Sequence, residues 1–582
     1  MTQSRRAFVL SALNAAAAAA LGQGVVQHKG AVMPRGKRSG LPYDAHFVEV
    51  ARKAGIDHPI VYGSPNPKDY IIESIGCGCA FFDYDNDGWM DLLVLGGSTL
   101  SGSDPGITNR LFHNNRDGTF RDVTLQAGLT KKGWACGVCI GDYNNDGWDD
   151  LFLTYWGQNV LYRNNGNGTF TDVTREAGLL SPTVRWGTGC AFLDYNRDGY
   201  LDLFVSNYVA FEYAKTPHPG EKSYCFYQNM AVNCGPRGLP FGVHSLYRNN
   251  GNGTFTDVSE SAGISGARSN YGLTVVAADL DDDGWPDIYV ACDSSPSLLF
   301  MNNHNGTFRE EGGVRGVAYS DDGKEQAGMG VAIGDYDEDG HLDIFKTNFA
   351  GDLPVLYRNL GKAIFEDATR ESGLAVDNRF VSWGTGLEDF NNNGLLDISI
   401  ATGHIYPELE RRYPESPYKS PLLLFRNLGR GRYEELFDEA GTAIREPHSS
   451  RGIAYGDFDN DGDVDMLVVN LGEPASLFRN DVSGKHHWIK VRLEGTISNR
   501  TAIGARVEVN TPGKKQMKEL QSQSSFLSCN DFRLHFGLAE ELVADVNIRW
   551  PNGQHEVLSG LKADALYTIK EGKGIIPNRG WK

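Results

Sequence analysis

The sequence is short of positive charge: 55 Lys and Arg residues stand against 74 Asp and Glu residues, and the formal net charge is −19. A DNA duplex or an anionic membrane leaflet would repel such a surface, which argues against a nucleic-acid binder or a polybasic membrane protein. The sequence also lacks a Ser/His/Asp order, a phosphate-binding loop and a dinucleotide fingerprint. We therefore predict no catalytic residues, and an enzyme is the less favoured class.

Long apolar runs are missing after the first 24 residues. Residues 1–24 contain the pair Arg5 and Arg6, followed by an apolar stretch from Ala7 to Leu21 that is too short for a membrane span. We predict an export signal in residues 1–24, a linker in 25–43 and no transmembrane anchor once the signal is removed. The letters SRRAFVL resemble the twin-arginine translocation signal, which implies a periplasmic or extracellular protein; a Sec signal is the alternative.

Glycine is abundant, at 70 of 582 residues, which indicates many tight turns. A repeat accounts for them. One unit reads GVAIGDYDEDGHLDIFKTNF (330–349), PVLYRNLG (354–361) and FEDATRESGL (365–374), and alternation divides it into strand A, an Asp-rich loop, and strands B, C and D. The loop occurs seven times but is followed by strand D only six times. The seventh stretch of this kind, FVEVARKAGI (47–56), precedes every loop.

A repeat array that begins with its last strand can close by pairing its two ends, which leaves no exposed sheet edge. We predict an all-β fold with a seven-bladed β-propeller over residues 44–484, closed by the N-terminal strand. A small antiparallel domain, a β-sandwich, follows over residues 485–571, and residues 572–582 form a loose tail. An open solenoid of the same repeats is the alternative.

Each loop has the form Asp-x-Asp/Asn-x-Asp/Asn-Gly-x-x-Asp, with side-chain oxygens at positions 1, 3, 5 and 9 and a free carbonyl at position 7. Oxygen donors without His or Cys side chains favour Ca²⁺, so we predict up to seven calcium ions. Loop six has only two carboxylates and should bind most weakly. The predicted ligands, with position 7 contributing its carbonyl, are Asp83, Asp85, Asp87, Trp89, Asp91; Asp142, Asn144, Asp146, Trp148, Asp150; Asp194, Asn196, Asp198, Tyr200, Asp202; Asp279, Asp281, Asp283, Trp285, Asp287; Asp335, Asp337, Asp339, His341, Asp343; Asp389, Asn391, Asn393, Leu395, Asp397; and Asp457, Asp459, Asp461, Asp463, Asp465.

The loops and the NNGNGTFTDVT turn (164–174) resemble the FG-GAP or VCBS repeats of integrin α-type propellers. The chain after the signal resembles the CRTAC1-like family, which ends in an ASPIC/UnbV domain. The resemblance rests on GHIYPEL (403–409), CGPRGLP (234–240), AIGARVEV (502–509), NDFRLHFGL (530–538) and IRWPNG (548–553). It implies a calcium-bound extracellular or periplasmic propeller, with a binding role suggested more often than catalysis. The aromatic and guanidinium side chains described next would suit a protein, a glycan or a small anion as the partner.

The long insertions at 209–245 and 403–422 fall at the end of the propeller opposite the metal loops, and loops on a rigid scaffold commonly carry function. We predict a ligand face there. Its aromatic rings could instead wedge neighbouring blades together, and an enzyme or metalloprotein that uses the central channel with Cys and His ligands is the second hypothesis. The ligand-face residues are Trp134, Arg185, Trp186, Trp383, His404, His448 and Arg451.

Cys225 and Cys234 lie nine residues apart within the first insertion, and in an exported protein this spacing favours a disulfide. Five other cysteines fall in the first three blades, and four of them, all but Cys139, occupy inner-strand positions from which they could approach the channel. A second disulfide, a soft-metal site and simple apolar packing all remain open for them. They are Cys77, Cys79, Cys136, Cys139 and Cys190.

Overall fold

The fold is described from a computed structural model, which covers residues 24–26, 28–64, 67–100, 105–267 and 269–578. The predicted export signal lies outside these residues, apart from Gly24. Strands dominate the described chain, and its two α-helices, Ile72–Ile75 and Gly312–Arg315, have one turn each. The predicted all-β class is confirmed.

Strand pairing divides residues 47–480 of the described chain into seven four-stranded units, each antiparallel in the order A-B-C-D. Units two and three share one sheet through a short pairing of Arg185 and Trp186 with Gly157 and Trp156. The A strands are Cys79–Phe82, Trp134–Gly141, Arg185–Leu193, Gly272–Ala278, Gly328–Gly334, Ser382–Glu388 and Ser450–Gly456. The B strands are Asp91–Val94, Asp150–Gly157, Asp202–Asn207, Asp287–Cys292, Asp343–Asn348, Asp397–Thr402 and Asp465–Asn470. The C strands are Arg110–Asn114, Val160–Asn164, Ser245–Asn249, Leu298–Asn302, Val355–Asn359, Leu423–Asn427 and Ser476–Asn480, and the D strands are Phe120–Asp122, Phe170–Asp172, Phe255–Asp257, Phe308–Glu310, Phe365–Asp367 and Tyr433–Leu436.

The seventh D strand comes from the front of the chain. Phe47–Glu49 pairs antiparallel with strand C of unit seven, with Phe47 opposite Asn480 and Glu49 opposite Phe478. The A strands of successive units pack against one another, and strand A of unit seven packs against that of unit one. The units therefore close into a ring of propeller type, which removes the free edges that an open array would expose.

Apolar side chains fill the space between neighbouring units. Between units four and five, Val276 and Tyr289 pack with Val331 and Ile344 in one buried cluster. Strand A and strand B side chains alternate between the two faces of each sheet, so each unit presents an apolar face to both neighbours. The ring is thus held mainly by packing between sheets.

The linker runs over the outside of the ring, and the insertions lie at the end opposite the Asp-rich loops. The linker residues 28–43 lie across units five and six, where Gly30 N–H donates to the Gly351 carbonyl and Met33 N–H to the Ala375 carbonyl. The insertion of unit three contains a short hairpin, Phe226–Tyr227 with Met230–Ala231, and the Cys225–Cys234 disulfide that the sequence predicts. Single 3₁₀ turns occupy Ile264–Gly266, Leu409–Arg411 and Thr442–Arg445.

The C-terminal domain is a sandwich of two four-stranded sheets around its own apolar core. Two expectations for it need correction. It is not wholly antiparallel, because Ile489–Glu494 runs parallel to Ala565–Lys570. It also continues past residue 571, since Gly574–Ile576 pairs with Thr568–Lys570. Its strands are His487–Glu494, Arg506–Thr511, Lys514–Glu519, Leu534–Ala539, Val543–Arg549, His555–Lys562, Ala565–Lys570 and Gly574–Ile576.

Candidate metal centres on the covered face of the propeller

Each Asp-rich loop joins strand A to strand B, and its first carboxylate organises the turn. In loop one, Asp83 accepts the N–H groups of Asp87 and Gly88 at 2.8 and 2.9 Å. Gly88 has φ of 87° and Asn86 at position 4 has φ of 57°, a conformation that glycine and asparagine adopt most readily. The repeated Asp and Gly thus shape the same tight loop in every unit.

The aspartate at position 9 opens strand B and links the loop to strand C. Asp91 accepts the Asn114 N–H at 2.8 Å with one oxygen and the Tyr84 N–H at 3.3 Å with the other. It is fully buried, and burial raises its pKa to about 7 although His113 and the Asn114 N–H oppose the shift. A buried carboxylate of this kind favours a bound cation, because a positive charge offsets its lost hydration.

Three acidic side chains converge in four of the loops, those with four carboxylates. In loops one, four and five the carboxylates of positions 1, 3 and 5 lie within 4.8 Å of one another, and in loop seven those of positions 1, 3 and 9 do. In all four loops the Oδ1 atom at position 3 is buried and has no hydrogen-bond partner. These atoms belong to Asp85, Asp281, Asp337 and Asp459. The donor sets fit a divalent cation, since an orphaned buried carboxylate oxygen is costly unless something binds it.

Loops two and three differ because position 3 is asparagine. The Asn144 side-chain amide donates to Asp146 Oδ2 at 2.9 Å, and Asn196 donates to Asp198 Oδ2 at the same distance. In these two loops, the carboxylate at position 5 therefore already accepts a hydrogen bond from the side-chain amide at position 3.

In loop six, a tyrosine hydroxyl group from the linker donates a hydrogen bond to one of the predicted ligand carboxylates. Tyr43 donates from its OH to Asp397 Oδ2 at 2.7 Å, and Asp389 is satisfied by the N–H groups of Asn393 and Gly394. Burial raises the pKa of Asp397 to about 8, against the opposing effect of the Tyr43 hydrogen bond. The Tyr43 contact is a feature that the loop motif could not reveal, because Tyr43 is 346 residues before the loop begins.

A histidine from strand C lies beside the carboxylates of loop one. His113 lies in strand C, where most other units carry arginine, and its Nδ1 is 3.4 Å from Asp85 Oδ2 and 3.3 Å from Asp91 Oδ1. The sequence analysis missed this residue, although the departure from the Leu-Tyr/Phe-Arg-Asn pattern was visible.

The C-terminal domain covers this face of the ring and places basic side chains against the loops. Arg549 pairs with Asp279 at 2.5 Å, Arg492 lies 3.5 Å from Asp83, and Lys490 is bonded to Asp457. Burial opposes the effect, but Lys490 and Arg533 hold the pKa of Asp457 below its usual value. In loop five, by contrast, the described residues include no Lys or Arg paired with a ligand carboxylate.

A segment of the C-terminal domain fills the central channel. Residues 522–529 are buried, and their polar groups meet A strands that bulge away from their own B strands. The Val138 N–H donates to the Leu527 carbonyl at 3.1 Å, and Val331 exchanges two 2.7 Å hydrogen bonds with Ser525. The channel is therefore packed with protein rather than open to a substrate, and QSQSSFLSCN carried no recognisable motif that would have predicted this.

The predicted ligand-face residues do not form one open surface. Trp134, Trp186, Trp383, His404 and Arg451 are at most 4% exposed, while Arg185 and His448 are half-buried. The Arg451 guanidinium lies 4.1 Å from the centre of the Trp383 ring and donates to the Ser74 carbonyl at 2.7 Å. Burial lowers the pKa of His404 to about 3. These five side chains pack the base of the ring, in line with the alternative that the aromatic residues wedge the blades.

The five channel cysteines are all buried free thiols. Cys136 accepts a hydrogen bond from the Trp186 ring N–H at 3.3 Å, and Cys79 donates to the Leu467 carbonyl at 3.3 Å. Among the residues described, they form no cluster of three metal-ligating groups. They serve as small, weakly polar groups where blades and channel segment meet.

Comparison with known families now identifies the repeat. The FG-GAP-like repeat family matches residues 83–153, 142–205, 241–290, 279–345 and 389–468, which together exceed half of the chain. The chain belongs to the FG-GAP-like repeat family. The family described as ASPIC and UnbV matches residues 495–576, so this FG-GAP-like repeat protein ends in the domain that its motifs indicate.

This FG-GAP-like protein is also similar to proteins of the CRTAC1-like group that its motifs resemble. It is 27% identical to Cartilage acidic protein 1 of Mus musculus over 522 residues, which cover 85% of this chain and 73% of that protein. It is 27% identical to the Homo sapiens protein of the same name over 51% of this chain and 43% of that protein. A solved Agrocybe aegerita lectin that recognises terminal N-acetylglucosamine is 16% identical, with a TM-score of 0.37, over 67% of this chain and 88% of that one. No helix among the described residues is long and apolar enough to cross a membrane.

Proposed function

We propose that this protein is an exported interaction module whose propeller is stabilised by calcium and which binds its partner on the face away from the metal loops. The orphaned Oδ1 atoms at position 3 of loops one, four, five and seven carry the metal part of this proposal. Their recurrence at one repeat position favours a common ligand over four unrelated defects.

Calcium suits the donor set better than the other common ions do. Each of these loops offers carboxylate oxygens at positions 1, 3, 5 and 9 and a backbone carbonyl at position 7, without a sulfur donor. Ca²⁺ accepts six to eight oxygen ligands in a flexible geometry, whereas Mg²⁺ demands a stricter octahedron. When bound, calcium supplies positive charge that neutralises the loops, and the protein's own aspartates hold it in place.

The sites differ in whether basic or hydroxyl groups of the protein already pair with the ligand carboxylates. Loop five should bind most tightly, since among the described residues no Lys or Arg forms an ion pair with Asp335 or Asp337. Loops four and seven share their first carboxylate with Arg549 and Lys490. Loop six should bind least, because the Tyr43 hydroxyl already donates to Asp397.

The end of the ring opposite the Asp-rich loops supports the partner-binding part of the proposal. The C-terminal domain covers the metal end, so the insertions at 209–245 and 403–422 lie on the end that remains accessible. A disulfide braces the first insertion. The partner class that fits is a protein, glycan or small anion outside the cytoplasm, in keeping with a family of interaction modules and with the predicted export signal.

Calcium titration of the metal-free protein tests the proposal. Isothermal titration calorimetry and metal analysis should show bound calcium and a melting temperature that rises with calcium concentration. The Asp337→Asn variant should lose one strong site, whereas Asp321→Asn, an exposed aspartate of the same unit, should keep them all. A melting temperature that neither calcium nor a chelator changes would overturn the metal part.

A further inference from the structure

A cavity of about 90 Å³ lies between the propeller and the C-terminal domain. Units five, six and seven form its lower wall, with Glu388, Tyr455 and Asp457 among the lining residues. The C-terminal domain supplies the upper wall, which includes Lys490, Lys518 and His535. The NDFRLHFGL motif contributes five of the lining residues, a role that neither the metal loops nor the partner face explains.

His535 is the unusual group in this cavity. Its residue is 5% exposed, and neither ring nitrogen has a hydrogen-bond partner among the described residues. It sits in strand Leu534–Ala539 directly opposite Lys490, so the two side chains share one face of the sheet. A buried imidazole with two unmet nitrogens costs stability unless a water molecule or a ligand binds them.

The carboxylates that line this cavity are each paired with a lysine or arginine, and the charged groups that act on His535 are the ammonium groups of Lys490 and Lys518. Together with burial, these ammonium groups lower the pKa of His535 well below its usual value. Each ammonium group has three donors but, among the described residues, one hydrogen-bond acceptor: Asp457 for Lys490, and Glu388 for Lys518 at 2.5 Å. Neutral His535 also has one N–H to donate.

We propose that this interdomain cavity binds a small oxyanion, such as a carboxylate or a tetrahedral oxyanion, through Lys490, Lys518 and His535. The volume admits a few water molecules or one small ion and excludes an extended chain. Glu388, Lys518 and Gln521 are half-buried, so an ion enters beside them. Because both lysines are also bonded to propeller carboxylates, the bound ion strengthens the attachment of the C-terminal domain to the ring.

Calorimetric titration of the full-length protein with sodium acetate, and separately with sodium sulfate, tests this site at constant ionic strength. Sulfate stands in for phosphate, which would precipitate with calcium. The expected result is saturable binding of one ion per chain by at least one of the two probes, weakened at least tenfold in Lys518→Gln and in His535→Gln. The matched control is Lys515→Gln, which alters an exposed lysine of the same strand that pairs with Glu508 and should leave binding unchanged.

The outcomes separate this site from the calcium sites. Titrations with calcium and with a chelator present show whether loss of calcium alone removes the anion, since Asp457 belongs to both places. If His535→Gln fails to fold, Lys518→Gln decides the result, because Lys518 is half-buried at the cavity rim. Absence of saturable binding, or equal binding by the lysine variant and its control, would show a cavity filled by water only and overturn the proposal.

Discussion

At the scale of single residues, one asparagine joins each unit to its predecessor. Asn164, at the end of strand C in unit two, donates to the Tyr84 carbonyl of unit one at 2.8 Å and to the Asp149 carbonyl at 3.1 Å. Equivalent bonds close the whole ring, and the Asn114 of unit one reaches the Phe458 carbonyl of unit seven. The donors of this kind are Asn114, Asn164, Asn249, Asn302, Asn359, Asn427 and Asn480.

Replacing Asn164 by alanine should destabilise the protein by about 2–4 kcal/mol, because one buried and one partly buried carbonyl and the Gly166 N–H lose their partner. The neighbouring Asn165 is exposed and bonds only to Thr169 and Thr171. Its alanine variant should change stability by less than about 1 kcal/mol. Thermal unfolding of both variants checks this, and equal melting temperatures would refute the role assigned to Asn164.

At the scale of chain segments, ionic contacts hold the linker against the propeller. His28 is buried and pairs with Asp352 at 2.8 Å and Asp322 at 3.1 Å, while Arg35 pairs with Glu435 at 2.7 Å. The hydrogen bond to Asp352 raises the pKa of His28, although burial opposes it. The pKa of His28 is higher in the folded than in the unfolded chain. The His28–Asp352 ion pair therefore stabilises the attachment of the linker below pH 6.5, and this stabilisation is lost as the pH rises through the folded-state pKa.

Limited proteolysis should therefore cut residues 28–43 faster at pH 8.5 than at pH 5.5, once protease activity is normalised on an unfolded substrate. His28→Gln should be cut at one rate at both pH values, because glutamine carries no titrating charge. Similar pH dependence in the wild type and the variant would assign the effect to another group.

At the scale of the whole molecule, the C-terminal domain covers one end of the ring and fills the central channel. It contacts the metal loops through Arg492, Lys490 and Arg549, and it packs Phe526 into the channel with its ring 4.9 Å from that of Trp383. The channel segment therefore shares one apolar cluster with the ring, which includes Phe526, Leu527 and propeller side chains. These contacts connect the Asp-rich loops, the attachment of the domain and the packing of the channel.

Phe526→Ala should destabilise the protein by about 3–5 kcal/mol, because the lost ring leaves a cavity in the channel. Hydrogen exchange should accelerate at the Val138 and Val331 amides, which donate to the channel segment. Phe226→Ala, at a side chain that is 38% exposed, is the matched control. Unchanged exchange at those amides would mean that the segment does not depend on Phe526.

The repeat, the Asp-rich loops and the closing strand could be predicted because each depends on contacts within one unit or on a periodic pattern. Asp83 and Gly88 shape their loop locally, and the displaced strand at 47–49 follows from counting D strands. The Cys225–Cys234 disulfide also joins near neighbours in the chain. Short separations of this kind leave a signal in a single sequence.

The placement of distant segments was decided only by the tertiary structure. Tyr43 reaches Asp397, the 522–529 segment enters the channel, and His535 faces a cavity shared by two domains. The predicted ligand-face aromatics are buried for the same reason, since Trp186 packs against Phe211 of the first insertion and Trp383 against Phe526 of the channel segment. The sequence by itself determined the repeat, the loop chemistry and the closure. Long-range packing, which depends on shape and has no period, determined which loop carboxylates pair with basic or hydroxyl groups and which predicted ligand-face side chains are buried.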